Sequence, residues 1–482
     1  MGKSKFSRLM PLLVVLLLLV AAVGVAEIRS YTGVGTCTIG DIGTPEQAKN
    51  LAKEKALQNA REQAGVYIQS YTRTAKTKLA SGELVAITNN ITNVVGEVKY
   101  QQTPGMVNDQ PVITYTATIT AKVDTDGIKK WLARGDEEKS SLVQQVETSQ
   151  KGIKESIEKL DKITQQYNES VTAQEKDRLK KEYDEANQGL IAAQKIDAGV
   201  KLYEAGNYDG AIKLYNEALS SGELSSINTA IAYTNRGLAY NKKGKLDLAI
   251  ADYDQALAVN PNYARAYYHR GTCYNDKGNH DRAIVDLDKA IELNPNKADY
   301  YNNRGIAYGD KGDSDRAIAE FTQAVTVDPN YVAGFYNRGR AYDLLKGDKA
   351  RAITEYNKAI DINPQYADAY NNRGTIYLDD YGEYDKAIAD FNKCIDLRPN
   401  GPNGYFNRGN AYFYKGDYDR ALKDYRKARK LEKNPARLAD IDKNIEIAEH
   451  NKRVIEMNSG MSDLERSLSE LSDALADLGS LF

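Results

Sequence analysis

The residues best placed for metal chemistry are one histidine and one cysteine near the middle of the chain. His269 and Cys273 are four positions apart, which puts two potential zinc ligands on one face of a predicted helix. No second pair at ligand spacing stands near them. Asparagine fills the position of His269 in a regular series: Asn235, Asn303, Asn337, Asn372 and Asn407. We therefore predict a structural role for His269 and no metal site.

Other catalytic patterns are equally weak. Gly33 and Gly35 have the spacing that begins a dinucleotide-binding loop, but no third glycine follows them to open a helix. No Ser-His-Asp or Cys-His arrangement suggests itself, and the many aspartates stand at regular positions typical of an ion-paired or solvated face. We predict that the protein is not an enzyme, with no catalytic residues and no cofactor.

Arginines and acidic residues recur together in the second half of the chain. An arginine precedes a glycine six times, and an acid precedes an aromatic residue or leucine six times. The two sets are Arg236, Arg270, Arg304, Arg338, Arg373 and Arg408, and Asp252, Asp286, Glu320, Glu355, Asp390 and Asp424. Equal numbers favour ion pairs within or between repeats; the alternative is a basic stripe that binds an anionic ligand.

These columns belong to a segment that repeats with a period of 34 or 35 residues. A glycine marks each unit, and a proline follows each of the first five: Gly237, Gly271, Gly305, Gly339, Gly374 and Gly409, with Pro261, Pro295, Pro329, Pro364 and Pro399. Alanines and aromatic residues recur at spacings of three and four, which places them on one helical face. Such short units must stack to bury that face, so the pattern predicts a solenoid.

The Gly-x-x-Tyr, Ala-x-x-x-aromatic and Pro pattern resembles the tetratricopeptide repeat family over about half of the chain. An earlier unit fits around Gly199, Gly206 and Tyr215, which gives seven units over 192–435. The resemblance implies a mainly α fold, a right-handed α-solenoid whose first helices line a concave groove for protein or peptide partners.

The groove column is the set of residues three before each glycine, and the residues just after the glycines extend it. From the two sets we predict these partner-binding residues: Tyr268, Asn302, Tyr336, Arg340, Asn371, Phe406 and Asn410. Lysine is absent from both, which argues against the grip on a C-terminal carboxylate that lysines provide in some members of the family. Aromatic rings and amides suit an extended peptide.

The N-terminus has the features of a secretory signal. Lys3, Lys5 and Arg8 precede an apolar stretch, and small residues lead to Ala26. We predict a signal peptide over 1–26 and export to the periplasm or cell envelope; an uncleaved membrane anchor is the alternative. The net charge of −2 gives no reason to expect nucleic acid as a partner.

Residues 27–134 predict a small α+β domain. Thr44, Pro45 and Gln47 open a helix with alanine at every fourth position from Ala48 to Ala64, and Gly65 is expected to break or bend it. Strands are predicted at 28–39, 92–102 and 113–123, the last with one buried face and one threonine face, and a short helix at 84–91. The Gly33-Val34-Gly35 strand, the alanine-rich helix and the threonine strand resemble a bacterial envelope domain of small lipoproteins and of a flagellar-assembly protein, which implies an envelope location.

Two helical segments flank the repeats. Residues 135–191 carry a heptad-like seam that includes Leu142, Val146 and Ile153, in one helix or a hairpin, which either caps the repeats or forms a coiled coil between copies. Residues 436–482 predict a capping helix to 456 and, past Gly460, a separate amphipathic helix. Its leucine stripe is Leu464, Leu468, Leu471, Leu475 and Leu478, a second route to a homo-oligomer.

Two functions from different classes fit this sequence. The first is a non-enzymatic scaffold of the bacterial cell envelope that binds protein or peptide partners. The second is a glycan- or peptidoglycan-binding protein, because the 34 tyrosines also offer rings that stack on sugars.

We predict that the exported protein begins at Glu27, because the small residues before it suit a signal peptidase. N-terminal sequencing of the mature protein checks this. Recovery of an intact Met1 in the cytosol would contradict it.

Overall fold

The computed structural model describes residues 28–39, 42–74, 81–107, 110–132 and 136–479, and the predicted signal peptide lies outside them. The chain forms two compact units that divide between Leu293 and Asn294. Unit 1 contains, in order, β1 (Ile28–Ile39), α1 (Pro45–Thr74), α2 (Ser81–Ile91), β2 (Thr92–Val94), β3 (Lys99–Val107), β4 (Gln110–Asp124), α3 (Thr125–Leu132), α4 (Asp136–Glu169), α5 (Ala173–Glu204), α6 (Tyr208–Leu219), α7 (Ser226–Lys242), α8 (Leu246–Val259), α9 (Ala264–Asp276) and α10 (His280–Leu293).

Unit 2 is helical throughout its described residues. Its elements are α11 (Ala298–Asp310), α12 (Ser314–Val327), α13 (Val332–Arg340, extended by a π-helical turn Ala341–Leu345), α14 (Lys349–Ile362), α15 (Ala367–Asp379), α16 (Tyr384–Leu397), α17 (Pro402–Tyr414), α18 (Tyr418–Leu431) and α19 (Pro435–Gly479). The mainly α fold with a small N-terminal sheet domain agrees with the sequence prediction.

The sheet is antiparallel and centred on the long strand β4. β1 pairs along one edge of β4, from Ile28 opposite Asp124 to Ile39 opposite Ile113. β2 and β3 pair with the other edge. The single strand predicted over 92–102 is therefore wrong: Gly96 has a positive φ of 78°, which ends β2 before β3 begins.

Helix α1 lies close against one face of this sheet. Its five stripe alanines, from Ala48 to Ala64, are fully buried. A Cβ on Gly33 would lie 2.0 Å from the carbonyl oxygen of Ala56, and one on Gly35 would lie 2.2 Å from its nitrogen. The two glycines therefore let a strand and a helix backbone approach each other, a packing role and not a nucleotide-binding one.

Helix α1 starts with the predicted capping pattern, but it does not end at the predicted residue. The Thr44 backbone N–H donates to Gln47 Oε1 over 2.6 Å, and the Gln47 N–H donates to Thr44 Oγ1 over 3.2 Å. Gly65 does not break the helix, which continues to Thr74. The cost of an internal glycine, about 1 kcal/mol, is small beside the burial of Ala64 and Ile68 on either side of it.

The predicted connector is a hairpin of α4 and α5 that shares the core of the N-terminal domain. Its seam residues from Ile153 to Tyr167 are buried in one cluster with the alanines of α1, and Leu142 and Val146 are buried with Tyr215 and Ile231 of the first repeats. The seam side chains thus pack within this chain and are not available for a coiled coil with a second copy. Because α5 runs on to Glu204, the predicted boundary at 191 falls inside a helix.

A buried polar network fixes the hairpin to the sheet domain. Asp197 of α5 accepts hydrogen bonds from Gln150 Nε2 (2.6 Å) and Ser149 Oγ (3.0 Å) of α4. Although burial alone would raise it, the pKa of Asp197 is lowered, because the cations of Lys201 and Arg61 lie near the carboxylate. Arg61 also donates to Gln150 over 2.7 Å. Four helices, α1, α2, α4 and α5, meet here, since Asn89 donates to Asp197 over 3.3 Å.

Each repeat is a pair of helices in tight contact at the predicted glycine. In the second repeat, for example, a Cβ on Gly237 would lie 2.6 Å from Tyr253 Cε1. Gly199 and Tyr215 show the same approach at 2.5 Å, so the earliest predicted unit packs like the others. The turns between paired helices hold glycines with positive φ, which residues other than glycine rarely adopt: Gly244, Gly278, Gly312, Gly382 and Gly416.

The arginine column clamps three helices from two successive repeats. Arg373 of α15 donates to both carboxylate oxygens of Asp390 on α16 (2.8 and 2.6 Å) and to Asn357 Oδ1 on α14 (2.5 Å). All six predicted arginine–acid pairs form, at 2.6 to 2.9 Å.

Each guanidinium carbon also lies 5.3 to 5.7 Å from the centroid of the aromatic ring three residues earlier. These contacts favour the ion-pair interpretation over a stripe for an anionic ligand.

Helix α19 corrects the predicted end of the chain. It is one continuous helix of 45 residues that passes through Gly460, where two separate helices were expected. Among the described residues, no helix has both the length and the apolarity needed to cross a membrane. All three cysteines are free and buried.

We expect Gly33→Ala to destabilise the N-terminal domain by about 3 kcal/mol, because the new methyl group would overlap the α1 backbone. Urea unfolding of the full chain measures it. Gly105→Ala is the control, since its Cβ would have its nearest neighbour at 3.7 Å. Equal stabilities of the two variants would contradict the close approach.

We expect Arg373→Met to destabilise unit 2 by about 3 kcal/mol, because it leaves the buried carboxylate of Asp390 without its partner. Arg398→Met is the matched control: Arg398 also pairs with an aspartate, Asp368 at 2.5 Å, but both side chains are largely exposed, so the loss should be under about 1 kcal/mol. Thermal melting compares them, and similar losses would refute the clamp.

Candidate partner-binding groove

The first-helix face of a repeat is the face that carries the groove column. In unit 1 this face is covered by α4 of the same chain. Arg265 Nη1 of α9 donates to Thr148 Oγ1 of α4 over 3.2 Å. Gly152 of α4 lies against Asn228 of α7, where a Cβ would be 2.3 Å from Asn228 Oδ1. Thr234 of the groove column is fully buried.

Tyr268 lies on this part of the chain and is buried as well. Its ring centroid is 4.8 Å from that of His269. Burial, with the nearby Arg265 cation, holds the pKa of His269 well below its ordinary value. No group of three or more His, Cys, Asp or Glu side chains could hold a metal within the described residues. The burial of His269 and its ring contact with Tyr268 agree with a structural role for this residue.

In unit 2 the first-helix faces are joined side by side by amide hydrogen bonds. Asn337 Nδ2 donates to Asn302 Oδ1 over 2.9 Å, and Asn407 Nδ2 donates to Asn371 Oδ1 over 3.0 Å. Asn372 Nδ2 donates to the Tyr336 hydroxyl over 3.1 Å. In each case the residue two before one glycine bonds the groove column of the preceding repeat, so the column is continuous across neighbouring repeats.

Two aromatic residues of the groove column, Tyr336 and Phe406, pack against other rings of the chain. The Tyr336 ring is 5.2 Å from Tyr366 and 5.9 Å from the buried Tyr356, centroid to centroid. The Phe406 ring is 5.8 Å from Tyr425. Burial is also the main cause of the raised pKa of Tyr336. Each ring is therefore partly a packing group, and each residue remains partly exposed.

Arg340 and Asn410 complete the site at its edges. Arg340 is exposed, and its guanidinium carbon is 6.0 Å from the Tyr336 ring centroid. Asn410 Oδ1 accepts a hydrogen bond from the Tyr425 hydroxyl over 2.8 Å, and Asn444 Nδ2 of α19 lies 3.4 Å away.

The structure thus divides the predicted partner-binding residues into two groups. Tyr268 and Asn302 are buried. Tyr336, Arg340, Asn371, Phe406 and Asn410 are accessible or partly accessible in unit 2. The sequence analysis did not include Asn337, Asn372 and Asn407 among the groove residues, although the recurrence of asparagine two residues before each glycine was a signal that could have found them.

Comparison with known proteins supports the repeat architecture. Family models described as tetratricopeptide repeat match residues 230–263, 264–297 and 402–435, and a second such model matches 287–319. A model described as TPR repeat matches 344–380 and 380–416. No curated protein shows significant similarity to the chain.

Several solved structures are similar to part of this chain. A tetratricopeptide repeat protein from Parabacteroides merdae is 21% identical, with a TM-score of 0.42, over 53% of this chain and 98% of that one. MamA is 29% identical, with a TM-score of 0.31, over 34% and 94%. YrrB, described as a TPR protein with an unusual peptide-binding site, is 22% identical, with a TM-score of 0.32, over 40% and 97%.

The helix pairs, the glycine and alanine packing and the family models agree on one assignment. Residues 230–319 and 344–435 of this chain are tetratricopeptide repeats.

Proposed function

We propose that the first-helix face of unit 2 binds an extended segment of a partner protein. Tetratricopeptide repeats generally serve as protein-interaction scaffolds and are typically not enzymes. The observation that carries the proposal is the row of amides and partly exposed rings that runs through Tyr336, Asn371, Phe406 and Asn410. Amides can bond a peptide backbone, and rings can take its side chains.

The chemistry of the row also indicates which part of a partner it takes. Arg340 is the one cation among the seven predicted partner-binding residues, and its guanidinium lies over the Tyr336 ring. An acidic side chain inside the bound segment can pair with it. Without lysines in the row, an internal segment fits better than a free C-terminus.

The covered first-helix face of unit 1 is a reason to place the binding site in unit 2. The α4 helix already occupies the first-helix face of the first repeats through Thr148 and Gly152. A partner segment would have to displace a helix that is fixed by the buried Asp197 network.

We extend the proposal to an exported protein of the bacterial cell envelope. The basic start, the apolar stretch and Ala26 support it, together with the resemblance of residues 27–134 to an envelope domain. The alternative is a glycan-binding envelope protein, in which the same rings stack on sugars.

Peptides selected from a random display library against the full chain provide the test. We expect Arg340→Ala and Phe406→Ala each to weaken a selected peptide at least about tenfold, as expected for anchor residues. Arg351→Ala is the control, because this arginine is also largely exposed but stands on a second helix, α14. Fluorescence anisotropy measures the affinities. Tyr336→Ala is a poor variant for this purpose, since the ring also packs against Tyr356.

Unchanged affinity in both groove variants would exclude this face as the peptide site. Co-sedimentation with purified peptidoglycan tests the alternative in parallel. If the wild-type protein sediments with peptidoglycan, and Phe406→Ala does not, the glycan function replaces the peptide one.

A further inference from the structure

The C-terminal helix α19 packs on the last repeat with only one of its faces. Ile441 and Ala448 are buried among the apolar residues of α18. Arg426 of α18 pairs with Glu449 of α19 at 2.8 Å. This face fixes the first third of the helix to the repeats.

A second apolar face points away from that contact. Met457 stands nine residues after Ala448, which is half a turn around the helix at about 100° a residue. Val454 and Met457 are 41% and 67% exposed, and further along the helix Leu468 and Leu471 are 57% and 61% exposed. The exposed side chains are therefore not left over from the packing on α18 but belong to a different face.

The spacing on this second face is that of a coiled coil. From Val454 to Leu478 a valine, methionine or leucine recurs at alternating intervals of three and four, without interruption. Because α19 continues through Gly460, the upstream and downstream parts form one seam of 25 residues, about 37 Å long. The five leucines alone would be too short for a stable helix pair.

We propose that this seam pairs with the same seam of a second copy of the chain. Coiled coils that select a different partner do so through charges beside the seam. Of the eight flanking positions from Arg453 to Gly479, only Arg453 and Glu465 are charged. In a parallel pair they face Asn458 and Gly460 of the other copy, so two identical helices meet no like-charge opposition.

The charge of the helix also distinguishes this partner from a lipid surface. From Met461 to Gly479 the helix carries five acids and one arginine. An amphipathic helix that lies on an anionic membrane carries lysines and arginines on its polar face instead.

Sedimentation equilibrium of the purified full chain tests the pairing. We expect a concentration-dependent dimer that the double variant Leu468→Ala/Leu471→Ala weakens at least about 100-fold, because both copies lose two seam leucines. Alanine keeps the helix propensity, so loss of the dimer does not follow from loss of the helix. Far-UV circular dichroism confirms that point. Ile455→Ala is the control, an exposed apolar residue on the same helix but off the seam.

A dimer that survives in Ile455→Ala and is lost in the double variant supports the seam. A wild-type protein that stays monomeric up to about 100 μM, well above the dissociation constants of specific complexes, overturns the proposal. So does a double variant that assembles like the wild type.

Discussion

The packing of neighbouring helices in the repeats depends on the hydrogen bonds made by the arginine that precedes each repeat glycine. Its guanidinium bonds the acid of its own second helix. An oxygen on the second helix of the preceding repeat also accepts from it at Arg236, Arg270, Arg338, Arg373 and Arg408. The guanidinium also covers an aromatic ring of its own helix. One side chain thus fixes both the angle within a repeat and the contact with the previous one. Since the pairs are largely buried, a shifted helix would leave a charge without a partner.

The glycine beside that arginine sets the distance that the clamp needs. A methyl group there would meet the ring of the paired helix, as at Gly374 and Phe391, where the Cβ would lie 2.8 Å from Cε1. The same device recurs in the N-terminal domain, where Gly33 and Gly35 admit the alanine stripe of α1. In both places small residues allow backbones to approach, and burial of larger apolar groups around them supplies the stability.

These constraints cover the first-helix face in one unit and leave it accessible in the other. In unit 1, α4 contacts α1 through Gln150 and Arg61 and covers the first-helix face of the early repeats at Thr148 and Gly152, so the hairpin serves as an internal cap. In unit 2 the first-helix face keeps accessible rings and amides. The helix α19 keeps one apolar face outward while the other packs on α18. The proposed peptide site and the proposed seam are thus two faces that intramolecular packing leaves at least partly uncovered.

The sequence by itself determined the repeats, their glycine and arginine columns, the capping box at Thr44 and Gln47 and the threonine strand, because each depends on spacing along one element. Only the tertiary structure decided what covers each apolar face: periodicity marks the face of α4 but not whether a sheet domain or a second chain lies against it. It also decided that Gly65 and Gly460 lie within helices, since neighbouring residues outweigh the small local cost of glycine. It alone also separated the buried Tyr268 from the partly accessible Tyr336, which hold the same place in the repeat pattern and differ only in their surroundings.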